Sequence, residues 1–254
     1  MNRRAFLRLA GLSTAGLFVP RGILEFPPSV RTAMENGYNF YGLTIDDGWS
    51  SAGVDETVDT LLQSRAFGLP DASATFFFVG RLLADRGRQV FDAFGDFRSF
   101  DFGYHTMNHP AVEEVVRWSS DDWLRDMDAW VTAGLRAGLG GLLVAFARSP
   151  GGVTTDAFLE ACATFDTPLM PVGWSTEPYD WHRGRILIDS GRIALAHARH
   201  SDVGILAQAL LIAHAFHRVP VNLPRLWTAH KVYRRACDES WGGSAAFCPY
   251  LNPK

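Results

Sequence analysis

At 254 residues with 47% hydrophobic side chains, the chain can bury one substantial core and is too apolar to stay disordered. A formal net charge of -3 gives no general attraction to nucleic acid or to an anionic membrane surface, so both partner classes are set aside. Aromatic residues make up 13% of the chain, 8 of them Trp, and such flat side chains suit either core packing or stacking on sugar rings.

Residues 1–22 read as a targeting segment and not as fold. Asn2-Arg3-Arg4-Ala5-Phe6-Leu7-Arg8 resembles a bacterial twin-arginine signal. The apolar stretch from Leu9 to Val19 is too short to span a bilayer comfortably, and no Ala-x-Ala cleavage site follows. The expectation is therefore export to the periplasm or cell surface, no stable transmembrane span, one folded domain over 23–228 and a tail over 229–254. Cys237 and Cys248 bracket a Gly-rich stretch of that tail and are placed to staple it. Cys162 falls in a helical apolar pattern, which predicts a buried, inert thiol. Oligomeric state is left open.

From Tyr38 the chain alternates strand and helix. An apolar run ends at Ile45, and a helical pattern over Val54 to Ser64 carries Val58, Leu61 and Leu62 on one face. Ala74 to Gly80 is continuously apolar, as a strand buried on both faces requires. A helix over Arg81 to Ala93 and a weaker strand over Phe97 to Tyr104 follow. Ser119 or Ser120 caps an amphipathic helix reaching about Ala137, with acidic residues in its first turn. Leu142 to Ala147 reads as a strand, and Thr155 opens a helix over Asp156 to Phe165. Strands at Leu169 to Trp174 and Arg192 to His197, a helix over Val203 to His217 and Val221-Asn222-Leu223 close the series. Such alternation predicts an α/β fold with a parallel sheet or barrel and chemistry at the C-terminal strand ends.

Polar clusters fall at those ends. Asp46 and Asp47 follow the first strand, and like charges this close disfavour joint ionisation unless a cation neutralises one. The plain alternative is an Asp-Asp-Gly turn closing a strand. His105 and His109, four residues apart, would reach one cation from one face of a helical turn, although such a pair alone is commonly a surface coincidence. Combined with a carboxylate from another strand end, they make a catalytic zinc-type set with an open position for water. Arg148, fixed by Pro150 and Gly151, can pair with a carboxylate, or else is a solvated loop charge. Trp174 and Trp181 mix with Glu177 and Asp180, and His197 ends an apolar strand, where core packing is the ordinary explanation.

Together these stretches resemble the polysaccharide deacetylase family, the NodB-homology group also classed as carbohydrate esterase family 4. The resemblance runs from about Asn39 to Leu226 and includes five motifs in order. Thr44 to Gly48 is similar to TFDDG, His105-Thr106-Met107-Asn108-His109 to H-[ST]-x-x-H, and Arg148 to Gly152 to R-x-P-x-G. Glu177-Pro178-Tyr179-Asp180-Trp181 is similar to D-x-x-D-W, and Leu195-Ala196-His197 to L-x-H. The resemblance implies a distorted (β/α) barrel of the NodB-homology type in a single domain. It implies that Asp47, His105 and His109 bind one divalent metal ion, zinc first, with cobalt, nickel or manganese as alternatives. It makes Asp46 the general base, Arg148 its partner, His197 the general acid and Asp180 the group that orients it. Trp181, with Tyr179, Pro150 and Gly151, would line the substrate groove. The departures, Ile45, Glu177, Gly151 and Ala198, bear on substrate preference more than on chemistry.

The implied activity is metal-dependent hydrolysis of acetyl groups, N-acetyl first, from a carbohydrate polymer or oligomer. An O-acetyl esterase, such as an acetylxylan esterase, shares the same site. A carbohydrate-binding protein on a silent copy of the fold is the alternative from another class, and loss of Asp46, Asp47 or either His would mark it. A cyclic-amide hydrolase of the superfamily is disfavoured by the complete set of metal-ligand candidates.

Overall fold

β1, Asn39–Asp47, is the strand around which the sheet is built, because both of its edges are occupied along most of its length. The computed structural model describes residues 39–95, 99–177 and 192–228. The signal with Arg3 and Arg4, the Cys237 and Cys248 pair, and Tyr179, Asp180 and Trp181 lie outside the described residues.

Among the described residues the sheet has seven strands: β1, β2 (Ala74–Phe78), β3 (Phe100–Tyr104), β4 (Leu143–Ala147), β5 (Met170–Pro171), β6 (Ile193–His197) and β7 (Arg218–Val221). Its order is β5-β4-β3-β2-β1-β6, every pairing is parallel, and β7 pairs with the start of β1 from Asn39 to Gly42. Parallel strands need crossover helices on their faces, which explains the continuous apolar runs. In β2 all five residues are buried; Phe76 and Phe78 pack in the larger cluster under the helices, while Phe77 joins Phe40, Phe146, Val172 and Val221 on the opposite face. This is the curled, half-barrel α/β architecture of a single domain, the expected (β/α) barrel of the NodB-homology type.

The described helices include α1 (Ser51–Ala66), α2 (Arg88–Phe94), the short α3 (Val112–Val115), α4 (Ser120–Arg136), α5 (Asp156–Thr164) and α6 (His200–Ala215). α4 forms where predicted: Ser119 and Asp122 make a reciprocal capping box, and Trp123, Met127 and Trp130 recur at helical spacing on its buried face. Trp130 Nε1 donates to Phe78 O at 2.9 Å, so the helix is pinned to the end of β2. Cys162 is buried on α5 as expected, and burial pushes its thiol up to about 12, which leaves little thiolate.

Three elements differ from the sequence expectation. The helix foreseen over Arg81 to Ala93 is a 3-10 turn at Gly80–Leu82, a π-turn at Leu83–Gly87 and then α2. β5 is confined to Met170–Pro171, with Val172 N donating to Ala147 O at 2.8 Å just beyond it. α6 starts at His200, three residues before the apolar run that announced it, and so includes Asp202 in its first turn.

Candidate active site

Parallel pairing places the site residues. β1 and β6 align with Asp46 opposite His197, and β1 and β2 align with Asp47 opposite Phe78, so these side chains gather at the C-terminal edge of the sheet. Asp46 and Asp47 are both buried. Arg148, beyond β4, is buried too and donates through Nη1 to Asp46 Oδ1 at 2.7 Å and to Thr44 Oγ1 at 2.9 Å. Its remaining nitrogens donate to Val172 O and Gly173 O, and its Cζ lies 4.4 Å over the Phe77 ring and 5.4 Å over Trp174. A fully engaged guanidinium of this kind holds a buried carboxylate in one orientation. Asp46 Oδ2 is left toward the His105 ring, 3.9 Å from Nε2.

His105 and His109 do converge, but not on a helical turn. Residues 105–109 form a loop in which Thr106 and His109 adopt left-handed φ values of 61 and 51°, and Asp47 has φ 75°. These three, of the four non-glycine residues with left-handed φ among the described residues, lie at the site, and such local strain is one that the surroundings must hold. Thr106 Oγ1 donates to His105 O at 2.6 Å and accepts from His109 N at 3.0 Å. Asp126 of α4 accepts from Met107 N at 2.9 Å and from Tyr104 OH at 2.7 Å. The loop is thereby tied at both ends and at its middle.

Asp47, His105 and His109 each offer a ligand atom, all within 4.8 Å of one another. Asp47 Oδ1 lies 3.5 Å from His105 Nε2 and 3.4 Å from His109 Nε2. His105 Nδ1 is 2.9 Å from Arg148 O, a carbonyl that can only accept, so Nδ1 carries the proton and Nε2 presents a lone pair. That buried Nε2 has no hydrogen-bond partner among the described residues. A lone pair aimed at carboxylate oxygens is repulsive unless a cation lies between them. The donor set therefore fits a divalent metal with two His and one carboxylate. His109 is the partly open member, its side chain 28% exposed, so the set faces solvent on that side.

The charges agree with this arrangement. Burial opposes ionisation of Asp47, yet contacts with His105 and Arg199 and the charge of His197 hold its carboxyl well below the usual range. Burial lowers His105, but the Asp46 and Asp47 carboxylates outweigh it and raise the ring above its ordinary value. His109 is lowered, by burial and then by the neighbouring His105 charge.

His197 ends β6 with Nδ1 3.1 Å from Asp202 Oδ2. Asp180, expected in that place, is outside the described residues. Sequence reasoning missed Asp202, and it missed Arg199, which binds Asp47 Oδ2 from the N-cap of α6. Both sit in a polar stretch with no motif of its own, and only the apolar pattern that follows gives a hint of the helix. Pro150 is buried and Gly151 is exposed with φ 62°, in a tight turn after Arg148. Gly152 presses against Trp174, where a Cβ would lie 2.4 Å from the indole.

The sequence profile described as polysaccharide deacetylase matches residues 34–168. The chain belongs to the polysaccharide deacetylase family. No curated protein sequence matches it. Among solved structures, the family 4 carbohydrate esterase of Streptomyces lividans in complex with acetate is similar at TM-score 0.58 and 19% identity, over 72% of this chain and 91% of that one. Peptidoglycan deacetylase PdaC of Bacillus subtilis gives 0.64 and 18%, over 80% and 98%. A family 4 pseudoenzyme of Bacillus anthracis gives 0.61 and 21%, over 74% and 65%. These likenesses show the family 4 deacetylase fold, and the pseudoenzyme shows that this fold also occurs without activity.

Proposed function

We propose that this polysaccharide deacetylase family member is a metal-dependent hydrolase that removes N-acetyl groups from a carbohydrate oligomer or polymer. The observation that carries the reading is the Asp47, His105 and His109 set lying beside Asp46 and His197, which face each other across paired strands. A divalent ion held by that set would polarise the acetyl carbonyl and lower the pKa of a water. Zinc is the first candidate, with cobalt, nickel and manganese behind it.

The chain's own residues divide the proton work. Asp46, anchored through Oδ1 by Arg148, takes the proton of the attacking water on Oδ2. His197, held at Nδ1 by Asp202, delivers a proton from Nε2 to the leaving nitrogen, so the C–N bond breaks to give a free amine and acetate. An amine leaves only when protonated, and a buttressed imidazole supports the amide reading over the ester. Asp180 belongs to the same proposal as a further partner of His197, and Trp181, Tyr179, Pro150 and Gly151 as walls of the groove. Export by the twin-arginine route is also proposed, on Arg3 and Arg4 and the residues after them. No described helix is long and apolar enough to cross a membrane.

Acetate release from chitooligosaccharides, peptidoglycan, acetylxylan and an acetylated exopolysaccharide tests this reading. Release from an N-acetylated member is the expected result. Release from acetylxylan alone would make the enzyme an O-acetyl esterase. Silence on every member, with metal bound, would leave a carbohydrate-binding protein.

A further inference from the structure

Trp49 stands just past the two aspartates, 37% exposed and outside both apolar clusters. Gly48 puts it there: its φ of 78° turns the chain outward, and a Cβ at that position would lie 2.9 Å from the Phe78 ring. The Trp49 and His109 ring centroids are 5.8 Å apart at 73°, so the indole borders the open side of the proposed metal set. The Arg81 Cζ lies 4.7 Å over the indole, and the Arg81 backbone N–H is bonded to Met107 O at 3.0 Å, inside the histidine loop. Other exposed aromatics, Phe67 and Phe216, cap the C-terminal ends of α1 and α6 and need no explanation beyond chance exposure. Trp49 differs because it is braced, and because it is braced beside the reacting centre.

We propose that Trp49, held by Arg81, is a stacking platform for a sugar ring adjoining the one that is deacetylated. The inference rests on the carbohydrate reading above and assigns a residue to the subsite beside the reacting sugar. A pyranose presents a face of C–H bonds, which packs on the electron-rich face of an indole, while its hydroxyls stay free for the guanidinium and water. Stacking by Arg81 fixes the indole before the ligand arrives, which lowers the ordering cost of binding. A hollow of about 460 Å³ bordered by Met107, Asn108, Trp118 and Arg125 adjoins the same loop.

The test is calorimetric binding of N-acetylglucosamine and its oligomers of increasing length to metal-loaded protein carrying Asp46→Asn, which keeps the ligand intact. Affinity is expected to step up once a second or third sugar is present. Trp49→Ala on that background should weaken oligomer binding about tenfold and remove the step, while Trp49→Phe keeps most of it. Metal content of each variant, measured alongside, confirms an intact loop. Oligomer affinity unchanged in Trp49→Ala, or no gain with chain length in the parent, would overturn the platform. Acetate release with Asp46 restored separates the two claims. Release without Trp49 dependence sinks the platform alone, whereas Trp49-dependent binding without release sinks the enzyme alone.

Discussion

One carboxylate oxygen of Asp202 holds both the ring and the backbone of His197, 3.1 Å from Nδ1 and 3.3 Å from the amide nitrogen. Because Asp202 sits in the first turn of α6, the contact forms as soon as the chain leaves β6 and enters the helix. Burial pushes Asp202 up, but its bonds with His197 and Ser201 hold the carboxyl below its ordinary value. A carboxylate at Nδ1 fixes the tautomer and leaves Nε2 outward, as orienting groups of His residues generally do.

Asp202→Ala is accordingly expected to lower kcat on an N-acetylated substrate by roughly 10- to 100-fold with little change in metal content, since it acts only through His197. Side-by-side kinetics with Asp180→Asn decide which carboxylate orients the ring. A silent Asp202→Ala beside a crippled Asp180→Asn would return that role to Asp180.

His197 itself is separable from Asp46 by leaving group. An aryl acetate departs without protonation, so His197→Ala should damage amide hydrolysis far more than aryl-ester hydrolysis, whereas Asp46→Asn damages both by about 10²–10⁴. Equal losses on the two substrates would show that His197 is a structural residue.

Protons and metal should compete for the ligand set. His105 is raised by Asp46 and Asp47, so the metal-free ring charges more readily than an ordinary imidazole as pH falls. Metal affinity, followed by calorimetry, is expected to drop steeply on the acid side of neutrality and to be regained on return. Affinity flat across that interval would argue against His105 as a ligand.

Asp126 supports the loop of the proposed ligands from outside, through Met107 N and Tyr104 OH. Asp126→Ala is expected to weaken metal binding by about 10- to 100-fold, and Tyr104→Phe by less, because the loop keeps its anchor at Met107. Metal titration of both variants checks the order; a reversal would place the support in the tyrosine.

At the opposite end of β3, Asp101 is buried with Asn222 Nδ2 donating to it at 2.9 Å. Burial pushes its carboxyl up to about 7, against hydrogen bonds from Thr75 and Asn222. The folded state thus binds a proton that the unfolded chain releases near its ordinary carboxylate value. The stability contribution is complete below that value and is lost as pH rises through about 7. Thermal melts of Asp101→Asn against the parent should show the variant gaining between pH 5 and 8. Parallel curves would refute the buried charge.

The sheet was legible because parallel strands buried on both faces leave unmistakable apolar runs, and Ala74–Phe78 is the clearest of them. The clusters at the strand ends were legible because Asp46-Asp47-Gly48 and His105 to His109 are dense in costly groups. What stayed hidden was the geometry between segments. Nothing local distinguishes Asp202 from any acidic residue in a first helical turn, and Arg199 meets Asp47 only because β1 and β6 pair. The left-handed path of Thr106 and His109 was hidden too, since four-residue spacing suggests a helix, whereas Asp126, Thr106 and the Gly80 and Arg81 amides impose the loop.

Asp47, His105 and His109 are proposed to hold the ion on which acetate release depends. Titrating zinc into chelator-stripped protein while following acetate release from an N-acetylated oligosaccharide tests this assignment most directly. Release is expected to rise linearly to a break at one equivalent per chain, with none at any zinc level in His105→Ala. Undiminished release by the stripped protein, or by His105→Ala, would contradict it.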